Sequence, residues 1–202
     1  MAARTFALTM LSALAWLPAT SHALDISQGW RFTKGDDPAW AQPEFDDSAW
    51  KPIDVGTPWE KAGHDGYDGY GWYRLRVRVP AAASEGAYFK QYQRLTLLLG
   101  AVDDVDVTYF NGVEVGRTGS APEDTKGHYE TIRRYDVPAE HIRWNAENVI
   151  AVCVFDSDGD GGMHKGTPTL SAPVWTDFVS VDIDNGQLTG FTRLVRRWIC
   201  RP

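Results

Sequence analysis

The sequence predicts an all-β domain, a β-sandwich or jelly roll, and three observations carry that prediction. Trp72–Val79 (WYRLRVRV) alternates apolar residues with arginines, the period-two pattern of a half-exposed strand. Leu95–Val102, Val105–Phe110 and Asn148–Phe155 (NVIAVCVF) are apolar on both faces or nearly so, as strands inside a sandwich are. Asn111-Gly112 separates Val105–Phe110 from Val113–Val115, a dipeptide whose two residues accept the left-handed backbone of a tight hairpin. Helical signals are few: Pro138-Ala139-Glu140-His141-Ile142 suits one turn with proline at its first position. Short strands punctuated by Gly, Pro and Asn are the signature of sandwich and jelly-roll architectures. Val174–Ile183 alternates again and is expected to close the sheet, although a composition shift at Ser171–Pro173 marks a candidate end of the compact domain.

The ends of the chain bear on location. A positive start ending at Arg4 precedes an apolar run, Phe6–Leu17, then Pro18 and Ser21-His22-Ala23. Small residues at the first and third places of that triplet fit a signal-peptidase site. The run is shorter than the roughly 20 residues that span a bilayer, and the alternative is a buried N-terminal helix. No cysteine stands near the cut to take a lipid. Residues 1–23 are therefore expected to be a signal peptide, 24–182 the sandwich and 183–202 an unassigned tail. The mature chain begins at Leu24, exported to a bacterial periplasm or beyond, with no membrane attachment after cleavage.

Charge and cysteine content exclude some classes. The 202-residue chain carries a net charge of −7, and losing Arg4 with the leader makes it −8. That balance opposes the counterion release on which nucleic-acid binding depends. Arg193, Arg196, Arg197 and Arg201 sit among Leu194, Val195, Trp198 and Ile199, the composition of a short amphipathic segment. The chain has two cysteines, Cys153 and Cys200. An exported protein is able to pair them, while Cys153 inside an apolar strand also suits a small buried thiol; the sequence leaves both open.

The order of several short blocks resembles the N-terminal sugar-binding domain of family 2 glycoside hydrolases, a jelly roll of the galactose-binding-like class. The blocks run from Gly29-Trp30-Arg31-Phe32 through Asp46-Asp47-Ser48-Ala49-Trp50-Lys51, Thr57-Pro58-Trp59 and Gly71-Trp72-Tyr73-Arg74. They continue with Leu99-Gly100-Ala101-Val102-Asp103, Asn111-Gly112-Val113-Glu114-Val115-Gly116, Tyr135-Asp136-Val137-Pro138 and Glu147-Asn148-Val149-Ile150-Ala151-Val152. Similar domains occur in β-galactosidases and sialate O-acetylesterases. The resemblance covers about Gly29 to Leu170, and it implies an accessory part whose catalytic (β/α)₈ barrel would be a separate or downstream domain. Cys153 departs from the pattern, since such domains often hold a basic residue there.

Sugar recognition needs flat apolar faces and hydrogen-bonding groups. Trp30, Trp50, Trp72 and Trp144 are expected in the core, since burying one such ring removes roughly 150–250 Å² from water. Trp59 and Tyr70 flank the loop Glu60–Gly69 and are the candidate platform, with packing beneath that loop as the alternative. Asp156, Asp158 and Asp160 place oxygens at alternate positions and a glycine sixth, like the first half of a calcium loop. Position twelve is Thr167 where a bidentate glutamate belongs, so a solvated turn and direct sugar contacts stand beside the calcium reading. Asp103, Asp104 and Asp106 form another acidic group, read as a polar edge or turn. No G-x-S-x-G elbow and no selected carboxylate pair point to hydrolysis by the chain itself. The expected function is an exported, non-catalytic accessory domain that binds carbohydrate. The alternatives are an N-terminal fragment of a larger β-galactosidase-like hydrolase or esterase, and a periplasmic protein-interaction module.

Overall fold

The computed structural model describes residues 23–173 in full, together with the backbone of 179–184 and 187–193. Residues 1–22 of the proposed leader, Cys200 and the arginines beyond Arg193 lie outside the described residues. Among the described residues, no helix is long and apolar enough to cross a membrane.

Two antiparallel sheets face each other. The larger runs β3 (Lys51–Pro52), β2 (Arg31–Lys34), β4 (Gly69–Val79), β9 (Ala146–Asp156), β6 (Val105–Phe110) and β7 (Val113–Thr118), in that order. The smaller is centred on β5 (Arg94–Asp103). One edge of β5 pairs β8 (Ile132–Pro138), and the other pairs β10 (Gly162–Lys165) and then β11 (Thr169–Ser171). The first strand, β1 (Leu24–Asp25), pairs β11 with Leu24 opposite Leu170. Phe32, Tyr73, Leu75, Phe110, Ile150, Val152 and Val154 point inward from the larger sheet and meet Leu95, Leu97, Leu99, Val137 and Leu170 from the smaller. Strict alternation along β4 and β9 thus fixes which side chains fill the core.

The hairpin forms where the sequence places it. Asn111 and Gly112 adopt φ of 50° and 82°, the paired positive angles that match the twist of the flanking strands. The turn after β8 is a 3₁₀ turn over Ala139–His141, with Pro138 at its cap and not inside it. A short helix, α1 (Ala87–Tyr92), was not expected; it has no side-chain cap and is held by Phe89, whose ring meets Trp144 edge-on at 5.4 Å.

Two expectations need correction. Arg74 on β4 is not half-exposed but fully buried, because the segment Gly35–Trp50 folds over the outer face of the larger sheet. Trp40, Phe45, Trp50 and Trp72 pack there, and the Arg74 guanidinium bonds Asp47 at 2.9 Å and the carbonyls of Trp40 and Phe45. From Arg76 onward β4 is exposed on that face, as the alternation predicts. Second, the strand predicted at Val174–Ile183 lies partly outside the described residues, and its described part does not join a sandwich sheet. Among the described residues, β12 (Val179–Asp184) pairs β13 (Gln187–Arg193), while β11 takes the place beside β5 and β1 follows it. Position 182 of the expected boundary therefore falls within β12, and the last described strand of the sandwich ends at Ser171.

Candidate functional site

Trp59 and Tyr70 do not form one platform; they belong to different layers. Trp59 opens a 3₁₀ turn, Trp59–Ala62, and is completely buried. Its indole donates to the Tyr67 carbonyl at 3.2 Å, and its ring lies 5.5 Å from both Phe32 and Tyr67. The space it fills is kept open by glycines: a Cβ at Gly71 would come within 2.6 Å of the Trp59 and Phe32 rings. A sugar cannot stack on a ring with no exposed face, so Trp59 is a core residue and the platform reading fails for it. Tyr70 lies on the outer face of the larger sheet, half-buried, with its ring 4.7 Å from Phe155 across the β4–β9 ladder. It borders a pocket of about 110 Å³ shared with Val107, Cys153, Phe155, Arg117 and Ser120. That is small against the roughly 300–1,000 Å³ usual for enclosed ligand sites, so only one edge of a sugar ring would enter. Cys153 is a free thiol among the described residues, and burial pushes its ionisation well up, with Asp36 adding to the effect.

The acidic residues converge elsewhere than alternation suggests. β5 ends at Asp103, β6 begins at Val105 and β9 ends at Asp156, so three strand ends meet at one end of the sandwich. The Asp104 amide donates to the Phe155 carbonyl at 3.1 Å. Ser157 answers through its amide at 3.0 Å and its hydroxyl at 2.6 Å, both to Asp104 Oδ2. Oxygens of Asp103, Asp104 and Asp156 lie within 4.8 Å of one another. Asp156 is completely buried; its Oδ1 accepts the Asp158 amide at 3.3 Å, and its Oδ2 has no hydrogen-bond partner. Glu60 behaves alike: Oε2 accepts the Gly161 amide at 3.1 Å, while Oε1 is buried without a partner.

This corrects the calcium loop drawn from Asp156, Asp158 and Asp160. Asp158 and Asp160 are exposed, and Asp158 gives the cluster an amide, not a carboxylate. The reason is local: Asp156 closes a turn with the amide two residues on, which spends the alternation on backbone geometry. The carboxylates that do gather carry the mark of their setting. Burial, then the neighbouring Asp104, pushes Asp103 up to about 7. Burial likewise raises Asp156 to about 6, against the Asp158 amide and with help from Asp104, Asp68 and Glu60.

Asp106, two residues on, is not part of a polar edge. It points into the sandwich and is completely buried with Arg133 of β8, bonded Nε to Oδ1 at 2.8 Å. Tyr135 donates to it at 3.0 Å and Thr108 at 2.8 Å, while Arg133 also donates to the Asp104 carbonyl at 2.7 Å. Burial raises the Asp106 carboxyl and Arg133 opposes that. Sequence reading missed this pair because a strand arginine is expected to face water, although alternation with Tyr135 and Val137 sets position 133 on the inward face.

These features define an antiparallel jelly-roll sandwich with an acidic end. Compared with solved structures, the chain is similar to Bacteroides uniformis β-glucuronidase, with 25% identity and a TM-score of 0.59, over 75% of this chain and 18% of that one. It is also similar to a glycosyl hydrolase family 2 member from Bacteroides cellulosilyticus (19% identity, TM-score 0.56, 74% and 20% covered). A third, Ruminococcus gnavus β-glucuronidase, matches at 12% identity and a TM-score of 0.57, over 76% and 29%. The last two likenesses concern the fold alone. The chain spans less than a third of each of these proteins. No family model and no curated protein matches it. The ordered sequence blocks and the fold thus agree on a resemblance to a domain of family 2 glycoside hydrolases.

Proposed function

We propose that the chain works as an exported, non-catalytic accessory domain of a glycoside hydrolase system, contacting carbohydrate through the outer face of its larger sheet. The observation that supports this most is the size of the likeness: three quarters of this chain corresponds to under a fifth of a β-glucuronidase. Tyr70 and Phe155 supply an aromatic surface, with Arg117 and Ser120 beside it and exposed Asp158 and Asp160 on the loop that follows β9.

Titration of the full chain with glucuronides, galactosides, glucans and xylans, followed by NMR, tests this. Millimolar or tighter binding, weakened at least tenfold by Tyr70→Ala, is expected. No shift with any sugar overturns the binding role. The small share of each hydrolase covered also favours a second reading, a segment that seats a separate or downstream catalytic barrel. A barrel encoded in an adjacent frame supports it; an unrelated neighbour counts against it. Export predicts a periplasmic or secreted product whose N-terminal sequence begins at Leu24, and an intact Met1 in the cytoplasm would refute it.

A further inference from the structure

We propose that the meeting point of β5, β6 and β9 is a calcium site in which Asp103, Asp104 and Asp156 supply carboxylate oxygens. The inference goes beyond the carbohydrate reading and does not depend on it. Three carboxylates at this spacing repel one another as they ionise. Among the described residues none of the three has an ion-pair partner. Arg133 acts on Asp103 through space, while its hydrogen bonds go to the Asp106 carboxylate and to the carbonyls of Asp104, Thr131 and His128. Strand pairing and the Ser157 bonds thus hold the cluster together with no ion pair to its carboxylates among the described residues.

A second observation points to a ligand. Asp156 is completely buried, its carboxylate lies within the cluster, and its Oδ2 has no hydrogen-bond partner. A buried carboxylate oxygen left without a donor costs more than almost any other polar defect. The Glu60 Oε1, on the loop bonded to Gly161, is buried and unpartnered too. Gly161 passes close by: a Cβ there would stand 2.7 Å from Asp156 Oδ2 and 2.4 Å from the Trp59 ring, so the chain leaves this approach free of a side chain.

The donor set selects the ion. All ligands are hard carboxylate oxygens, with no thiolate or imidazole, which suits Ca²⁺ or Mg²⁺ over zinc or copper. Calcium–oxygen bonds of about 2.3–2.6 Å place opposite ligands roughly 4.6–5.2 Å apart, against about 4.1 Å for magnesium. Oxygens within 4.8 Å of one another fit inside the calcium shell, whose remaining places water can fill. Ser157, bonded twice to Asp104 Oδ2, holds that carboxylate in orientation as outer partners of metal ligands do.

The test uses the full chain after treatment with EDTA. Millimolar Ca²⁺ is expected to raise the melting temperature by roughly 5–10 °C, and Mg²⁺ by much less. Terbium, a luminescent calcium substitute, is expected to light up on tryptophan excitation because the Trp59 ring lies beside the site. Asp103→Asn and Asp156→Asn should each weaken terbium affinity at least tenfold; if Asp156→Asn does not fold, Asp103→Asn alone carries the test. An unchanged melting temperature with no terbium signal overturns the site. So does a Ca²⁺ response in Asp103→Asn and Asp156→Asn equal to that of the unsubstituted chain, and an equal response to Mg²⁺ overturns the assignment of the ion. Sugar titration of the same variants reads the carbohydrate proposal separately.

Discussion

Asp106 and Asp156 are both fully buried carboxylates, yet the molecule treats them in opposite ways. Around Asp106 every charge and hydroxyl finds a partner inside the sandwich, from Arg133, Tyr135 and Thr108. Around Asp156 the neighbours are further carboxylates, and one of its oxygens is left without a donor. The first is a closed electrostatic unit that joins the two sheets. The second is an open one, with the charge imbalance that an incoming cation would correct. Burial alone therefore says little about a carboxylate's role; what its oxygens lack says more.

The contrast can be broken by mutation, beginning with the largest effect. Asp106→Ala strands the Arg133 guanidinium and should cost about 3–5 kcal/mol of stability, a large share of a typical domain's total. Guanidinium-chloride unfolding measures it, and a loss below about 1 kcal/mol would mean that the unit is not closed. Gly116→Ala attacks the same unit indirectly. Its new Cβ would fall 2.0 Å from the Tyr135 ring, displacing the donor to Asp106. A loss of about 1–3 kcal/mol is expected in the same assay.

The open unit should respond with the opposite sign. In metal-free protein, Asp156→Asn removes one of several like charges and should raise stability, on the order of 1 kcal/mol. Destabilisation in EDTA would show that the acidic end is already compensated. The smallest effect belongs to the surface. Arg117 pairs with Glu114 at 2.5 Å, but both side chains are substantially exposed. Arg117→Ala should change stability by less than about 0.5 kcal/mol, which calibrates how much of the larger losses comes from burial.

The strands were the most legible part of the sequence, because alternation and unbroken apolar runs report directly on side-chain placement. Val105–Phe110 appears with the bounds expected of it, and Asn111-Gly112 makes the expected turn. Reading failed where a second layer changed the environment. The arginine at position 74 looks solvent-facing until the Gly35–Trp50 segment is seen to cover it. Asp103, Asp104 and Asp156 are 52 or 53 residues apart in pairs across the strands, and only sheet pairing brings them together. Asp156, Asp158 and Asp160 misled because regular spacing along a chain is not convergence in space. Trp59 misled for a related reason: a loop aromatic near glycines suits a binding surface and a buried plug equally well.

The pairing of Leu24 with Leu170 has a consequence for assembly. The smaller sheet takes its first edge strand from the start of the described chain and the strand beside it from the far end. During synthesis the early segment has to wait, unpaired, while nearly 150 residues emerge before its partner exists. The same arrangement sets the entrance and exit of the sandwich on neighbouring strands, so the unit can be carried as a cassette between flanking segments without stretching either one.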